Sequence, residues 1–201
     1  MSKELEYFFD FASPYAYLAH AKLPEIARRH GWTITYRPVD LPEVKRAAGN
    51  IGPSTHFLPA RKRYIQQDTA RWAKRYGVPI AQPSNFDSGR LNRGTWFAIA
   101  RRVATEYVDA VGRRVWAEGG AMNDENLLAG VAADMGWDAK EFMLYTTSEA
   151  AAAAHRATLE VARKHGVFGV PIMVADEQLW WGNDRLPFVE SYLAAHAGVP
   201  A

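Results

Sequence analysis

The order of patterns along this 201-residue chain predicts an α/β fold in which a small sheet is interrupted by a large all-helical insertion. Three observations carry that expectation. The chain starts strand–helix–strand, shows no strand pattern across its middle, and ends helix–strand–strand–helix. A β-α-β start favours parallel pairing of its two strands. Composition agrees: 48% of residues are hydrophobic, the net charge is +2 and cysteine is absent. A chain of this size and apolar content builds a real core. Its near-neutral charge imposes no nucleic-acid or membrane partner. Without cysteine there are no disulfides, no thiolate metal sites and no redox chemistry on its own thiols. The start runs directly into a strand pattern with no apolar leader, and no apolar run approaches the roughly 20 residues that span a bilayer. A cytoplasmic location is expected.

Residues 5–11, LEYFFDF, are short, aromatic-rich and ended by a turn, which reads as a buried strand. Pro14 suits a first helical position, because an N–H there would be unpaired anyway. The apolar stripe of Tyr17, Leu18, Ala21 and residues 23–26 extends that helix to Gly31, a stop signal. Residues 32–36, WTITY, alternate as a second strand. Helices are expected over 43–50, 61–76, 95–118, 123–135 and 139–144, separated by Gly- and Pro-containing breaks. Thr146-Thr147-Ser148-Glu149 has the pattern of a capping box, and a helix follows to about Lys164 with a stop near Gly166. Residues 172–175 and 178–181 form a hairpin around Asp176-Glu177, and residues 185–197 a terminal helix. This order is that of a thioredoxin-like fold, with residues 1–42 and 147–201 as a discontinuous domain and 43–146 as the insertion.

Three places invite chemistry. Ser13, just before Pro14, is placed to cap the helix with its side-chain oxygen. No neighbouring base and no G-x-S-x-G elbow accompany it, so it does not read as a nucleophile. A helix start favours anions and lowers the pKa of a thiol placed there. A serine hydroxyl could donate one hydrogen bond to such a thiolate. The thiol would have to arrive on a small molecule. Val170-Pro171 opens a strand and is a candidate cis peptide; its backbone could pair with an extended peptide as an added strand. In Trp181-Gly182-Asn183-Asp184, Asn183 or Asp184 is expected to cap the last helix. Its free N–H groups suit a carboxylate and Asp184 suits an ammonium.

FDFASPYAY at 9–17, Lys45, GNIGPS at 49–54, RWA at 71–73, FGVP at 168–171 and WWGNDRL at 180–186 together resemble the 2-hydroxychromene-2-carboxylate isomerases. That family is related to kappa-class glutathione transferases and DsbA-type oxidoreductases. The likeness runs over nearly the whole chain, in order and at family spacing. It implies a glutathione-dependent cis–trans isomerase of aromatic (naphthalene-type) catabolism, working by reversible thiolate addition to a conjugated enone. It further implies that Ser13 contacts the glutathione sulfur, that Val170 and Pro171 hold its cysteinyl backbone, and that Trp181, Gly182, Asn183 and Asp184 hold the rest. Lys45, Thr55, His56 and Phe86 match substrate-pocket positions. Relatives carry Asn, Arg and Tyr where Thr55, His56 and Phe86 stand, so substrate preference is open at these positions. A homodimer is expected by the same analogy.

Two other readings remain at this level: a kappa-like transferase that releases a glutathione conjugate, and a non-catalytic thioredoxin-like module that binds peptides near Pro171. The six histidines show no metal-ligand spacing. The segment GRLNRG at 89–94 lacks the ending of a phosphate loop, and the paired arginines read as solvated helix faces.

Overall fold

The computed structural model describes residues 3–52 and 58–197. Its sheet has four strands in the order β2-β1-β3-β4. Strand β1 (Lys3–Phe9) pairs in parallel with β2 (Trp32–Pro38), Lys3 facing Trp32 and Phe9 facing Pro38. On its other side β1 runs antiparallel to β3 (Ile172–Ala175), which turns into β4 (Gln178–Trp181). The hairpin therefore lies where its two short runs and its Asp-Glu turn place it, with Asp176 at a positive φ of 51°.

Side chains alternate across a strand, and β1 uses both faces. Leu5, Tyr7 and Phe9 enter the larger core, shared with α1 (Pro14–His20), α2 (Leu23–Arg29) and the terminal helix α10 (Leu186–Ala195). Phe8 points the other way, with Val174 and Ile172, into a smaller core under α3 (Leu41–Ala47) and α9 (Glu149–Lys164). Between them run α4 (Pro59–Tyr76), α5 (Gly89–Ala100), α6 (Ala104–Gly112), a π-helical turn (Arg113–Ala117), α7 (Glu125–Asp134) and α8 (Ala139–Thr146). Among the described residues no strand interrupts this run. Leu91, Phe97, Tyr107, Val111 and Phe142 of these helices join the same core as β1.

Several boundaries differ from the sequence expectation. The first strand stops at Phe9, because the Asp10 side chain accepts from Ala12 N–H and turns the chain. The expected single helix to Gly31 is two helices. Pro24 has no N–H to give and its ring would meet the carbonyl of His20, so the ladder breaks at Ala21-Lys22. The helix expected over 95–118 begins earlier, at Gly89, and divides at Arg101-Arg102. There Val103 N–H reaches Ala98 C=O and Arg102 N–H reaches Ile99 C=O, with Arg102 at φ 61°. This is a Schellman stop that uses arginine where glycine is usual. Gly166, at φ 68°, closes α9 with the same bonding, as its sequence signal indicates. Before α9 no capping box forms. Ser148 alone caps, accepting from Ala151 N–H at 3.2 Å, while Glu149 pairs with Arg156.

Gly94 lies on the face of α5 that meets Tyr107 and Phe142, and a Cβ there would collide with the Tyr107 hydroxyl and the Phe142 ring. That hydroxyl is held by Leu91 C=O at 2.8 Å. Overpacking should outweigh the better helix propensity of alanine, so Gly94→Ala is expected to lose about 1–2 kcal/mol. Urea unfolding should show a lower midpoint with an unchanged m-value.

Candidate active site

The site is assembled around the carboxyl end of β1. Asp10 is 1% exposed and accepts four hydrogen bonds. Its Oδ1 takes Ala12 N–H at 2.9 Å, the Ser88 hydroxyl at 2.5 Å and the Asn92 amide at 3.0 Å; its Oδ2 takes Leu41 N–H at 2.8 Å. Asn92 also spans from Val39 C=O to Phe11 N–H. The turn before α1, the start of α3 and the start of α5 are thereby fixed to one another. Sequence reasoning passed over this cluster. Its one signal was a charged residue inside an aromatic run, which must find polar partners when buried.

Ser13 is 4% exposed and caps α1, its oxygen accepting from Ala16 N–H at 3.3 Å. The capping role expected of it is therefore real, and it uses a lone pair rather than the hydroxyl hydrogen. That hydrogen remains available as a donor. Pro14 offers no N–H, and Ala16 and Tyr17 N–H are turned back to Ser13.

Just before β3 the chain passes through Phe168-Gly169-Val170-Pro171. The Val170–Pro171 peptide is cis. Pro171 C=O accepts from Gly182 N–H at 2.9 Å, which ties this segment to the end of β4. Val170 is buried, yet neither its N–H nor its C=O enters a backbone hydrogen bond outside the strands and helices of the described chain. Trp181 is 54% exposed and its ring meets Phe168 edge to face at 5.1 Å. Gly182 has φ 105°, and a Cβ there would run into the Asp184 carboxylate.

Asn183 begins a 3-10 turn (Asn183–Arg185) that leads into α10. Neither Asn183 nor Asp184 caps α10. Its N-cap is Arg185, which makes no side-chain cap bond, and the expectation is corrected accordingly. Asn183 is 2% exposed, and its side-chain amide nitrogen has no partner. A buried orphan donor costs free energy unless something accepts from it. Its backbone C=O is held by the Tyr76 hydroxyl at 3.1 Å. Asp184 is half exposed and pairs with Arg185 at 2.9 Å.

Tyr15, the second residue of α1, donates to Asp68 of α4 at 2.9 Å. Burial, the bond to Asp68 and the nearby charge of Asp184 all push its phenol pKa up. Asp68 is thus bound to the start of α1, a second carboxylate that sequence reasoning did not find.

Lys45, on α3, is half-buried rather than solvated. Burial pushes its ammonium pKa down, Arg61 adds to this, and the negative charge of Asp10 opposes it. Phe86 packs on Trp116 with ring centroids 6.2 Å apart, and Trp116 donates to Phe11 C=O at 2.8 Å. Thr55 and His56 lie outside the described residues. The Asp10 cluster brings the segments of Ser13, Lys45 and Phe86 together, the 3-10 turn Asn183–Arg185 packs against α1, and Val170 lies in the smaller core. A cavity of about 340 Å³ lies between α1, α6 and the π-helical turn. Asp10 lines it with Phe9, Tyr17, His20, Val108 and Trp116, while Ser13, Lys45, Phe86, Val170 and residues 181–184 do not.

The arrangement offers an unpaired backbone edge, an orphan amide donor and two carboxylates to a peptide-like ligand. Ser13 adds a hydroxyl donor and Lys45 a cation. The sequence matches the DSBA-like thioredoxin domain family over residues 4–194. It is 42% identical over 193 residues to a 2-hydroxychromene-2-carboxylate isomerase of Sphingobium xenophagum, covering 96% of this chain and 99% of that protein. It is 26% identical to glutathione S-transferase kappa 1 of Rattus norvegicus, covering 90% of this chain and 87% of that protein. A solved structure of a 2-hydroxychromene-2-carboxylate isomerase superposes with a TM-score of 0.92 at 39% identity, covering 96% of this chain and 95% of the other. The chain belongs to the DSBA-like thioredoxin family and, within it, to the 2-hydroxychromene-2-carboxylate isomerases.

Proposed function

We propose that this chain is a glutathione-dependent isomerase that interconverts 2-hydroxychromene-2-carboxylate and trans-o-hydroxybenzylidenepyruvate in aromatic catabolism. The observation that carries this reading is a hydroxyl donor at residue 13, together with an unpaired peptide edge at Val170, in a protein without cysteine. The residues fit glutathione. The Asn183 amide is an orphan donor suited to a carboxylate or peptide carbonyl. Val170 N–H and C=O suit the cysteinyl backbone, with Pro171 fixing the edge and Trp181 and Gly182 forming its flank. Asp184, with Asp68 nearby, suits the γ-glutamyl ammonium. Bound glutathione supplies a thiolate that adds reversibly to a conjugated double bond and leaves again unchanged.

The chain's own residues do the rest. Ser13 donates its hydroxyl hydrogen to the sulfur, favouring the ionised form and aiming it. Lys45 attracts the substrate carboxylate and the enolate charge that grows during reaction. Phe86 provides an aromatic wall, and Thr55 and His56 match substrate-pocket positions of the relatives by sequence alone. In this scheme residues 1–42 and 147–201 hold most of the thiol side, and the 43–146 insertion brings the substrate side. The same reading places the protein in the cytoplasm as a homodimer. The exposed apolar side chains of Ile51, Leu58 and Tyr64 support a partner surface there.

Three outcomes are expected. Ultraviolet assay of the chromene acid should show turnover falling to background when glutathione is removed, with free glutathione recovered unchanged when it is present. Undiminished turnover without thiol rejects the cofactor, and a stable conjugate selects the transferase chemistry instead. Ser13→Ala removes a hydrogen bond to a charged group, about 1.5–3 kcal/mol. The bound thiol should then ionise about 1–2 pH units higher, moving the acidic limb of the rate profile upward. An unmoved limb removes Ser13 from that role. Asp184→Ala should weaken glutathione binding about tenfold by calorimetry, the scale of one charge-assisted contact. The KM for the chromene acid should stay nearly constant, and equal losses for both ligands would reject the assignment.

A further inference from the structure

We propose that Asp10 is a positioning residue, whose carboxylate holds the Lys45 helix in register with the Ser13 turn and the Phe86 segment. This rests on the isomerase reading for the role of Lys45. The geometry itself does not depend on it. Leu41 is the first residue of α3 and Lys45 lies one turn further on the same face. Leu41 N–H is held by Oδ2 of Asp10, while Oδ1 holds the Ala12 and α5 donors. The two oxygens of one buried carboxylate therefore serve opposite sides of the site.

Among the described residues all four donors to Asp10 are neutral groups, and no bonded cation cancels its charge. Its field reaches Lys45, where it opposes burial and Arg61, and reaches His155 on α9. The other charged groups around Lys45 are already engaged or lie beside it. Glu43 on the same helix pairs with Arg163 of α9 at 3.3 Å, and Arg46 follows Lys45 in the last turn. A carboxylate used only as a structural latch would govern stability alone. Here it also sets the place and the charge of the residue that meets the substrate.

Asp10→Asn separates these roles. The amide keeps one oxygen for Ala12 N–H, Ser88 and Asn92, and sets an NH2 against Leu41 N–H. The Lys45 arm on Oδ2 is released, while the Oδ1 arm that holds the Ser13 turn and the Phe86 segment is kept. The substrate KM should rise about tenfold or more, the scale of a lost hydrogen bond to a charged group. Glutathione affinity by calorimetry should stay within about twofold. The Lys45 titration, followed by carbon-13 NMR of labelled lysine side chains, should move to lower pH, because the negative charge that opposes burial and Arg61 is gone. Parallel loss of glutathione affinity and KM overturns the proposal, as does an unchanged KM with an unmoved Lys45 titration. Should Asp10→Asn not fold, Ser88→Ala keeps the charge and removes one tether. It should raise KM severalfold without moving the Lys45 titration, and an unchanged KM overturns the proposal. If the wild-type protein neither binds glutathione nor turns over the chromene acid, the isomerase reading fails. The Lys45 titration still decides whether Asp10 governs that side chain.

Discussion

A buried carboxylate cannot be left unpaired, and that constraint organises this molecule. Asp10 emerges where β1 ends, inside a shell of aromatic side chains, and it has to collect its hydrogen bonds from whatever the fold can bring. The donors come from three separate stretches of sequence: the turn at Ala12, the start of α3, and the first turn of α5. Satisfying one acid therefore draws distant segments to the same point. Removing a partner would leave a charge without compensation, which is more costly than never having placed it there.

The two faces of β1 divide the labour around that point. The Leu5, Tyr7 and Phe9 face builds the large core with the helices, so α1 and its cap are seated rigidly. The Phe8 face, with Ile172 and Val174, seats α3 and α9, and Val170 belongs to that smaller core. A ligand lying between Ser13 and Val170 would thus touch elements anchored in both cores at once. Precise placement of reacting groups needs this kind of support from packed elements behind them.

Much of this was legible in the sequence, for physical reasons. The period-2 pattern of Trp32–Tyr36, the two short runs around Asp176-Glu177, the Gly166 stop and the Ser13-Pro14 start are local signals, and each appears in the structure. What local pattern could not carry was long-range. Asp10 meets Ser88 and Asn92 across about eighty residues, and Tyr15 meets Asp68 across fifty-three. The divided helices failed for a different reason. Pro24 interrupts a ladder whose apolar stripe continues on both sides, and the corner at Arg102 carries no glycine to announce it. The likeness to known isomerases supplied the site residues that spacing alone could not nominate. It said nothing about the acid that ties their segments together.

The corner at Arg102 has a consequence for engineering. A left-handed backbone at a residue with a β-carbon carries a steric cost of about 1–2 kcal/mol, and here the cost is met by two helix-ending hydrogen bonds. Both bonds come from the main chain and survive any side chain. Glycine at this position would keep the corner and shed the clash, giving a sturdier enzyme by a change remote from every group that handles substrate.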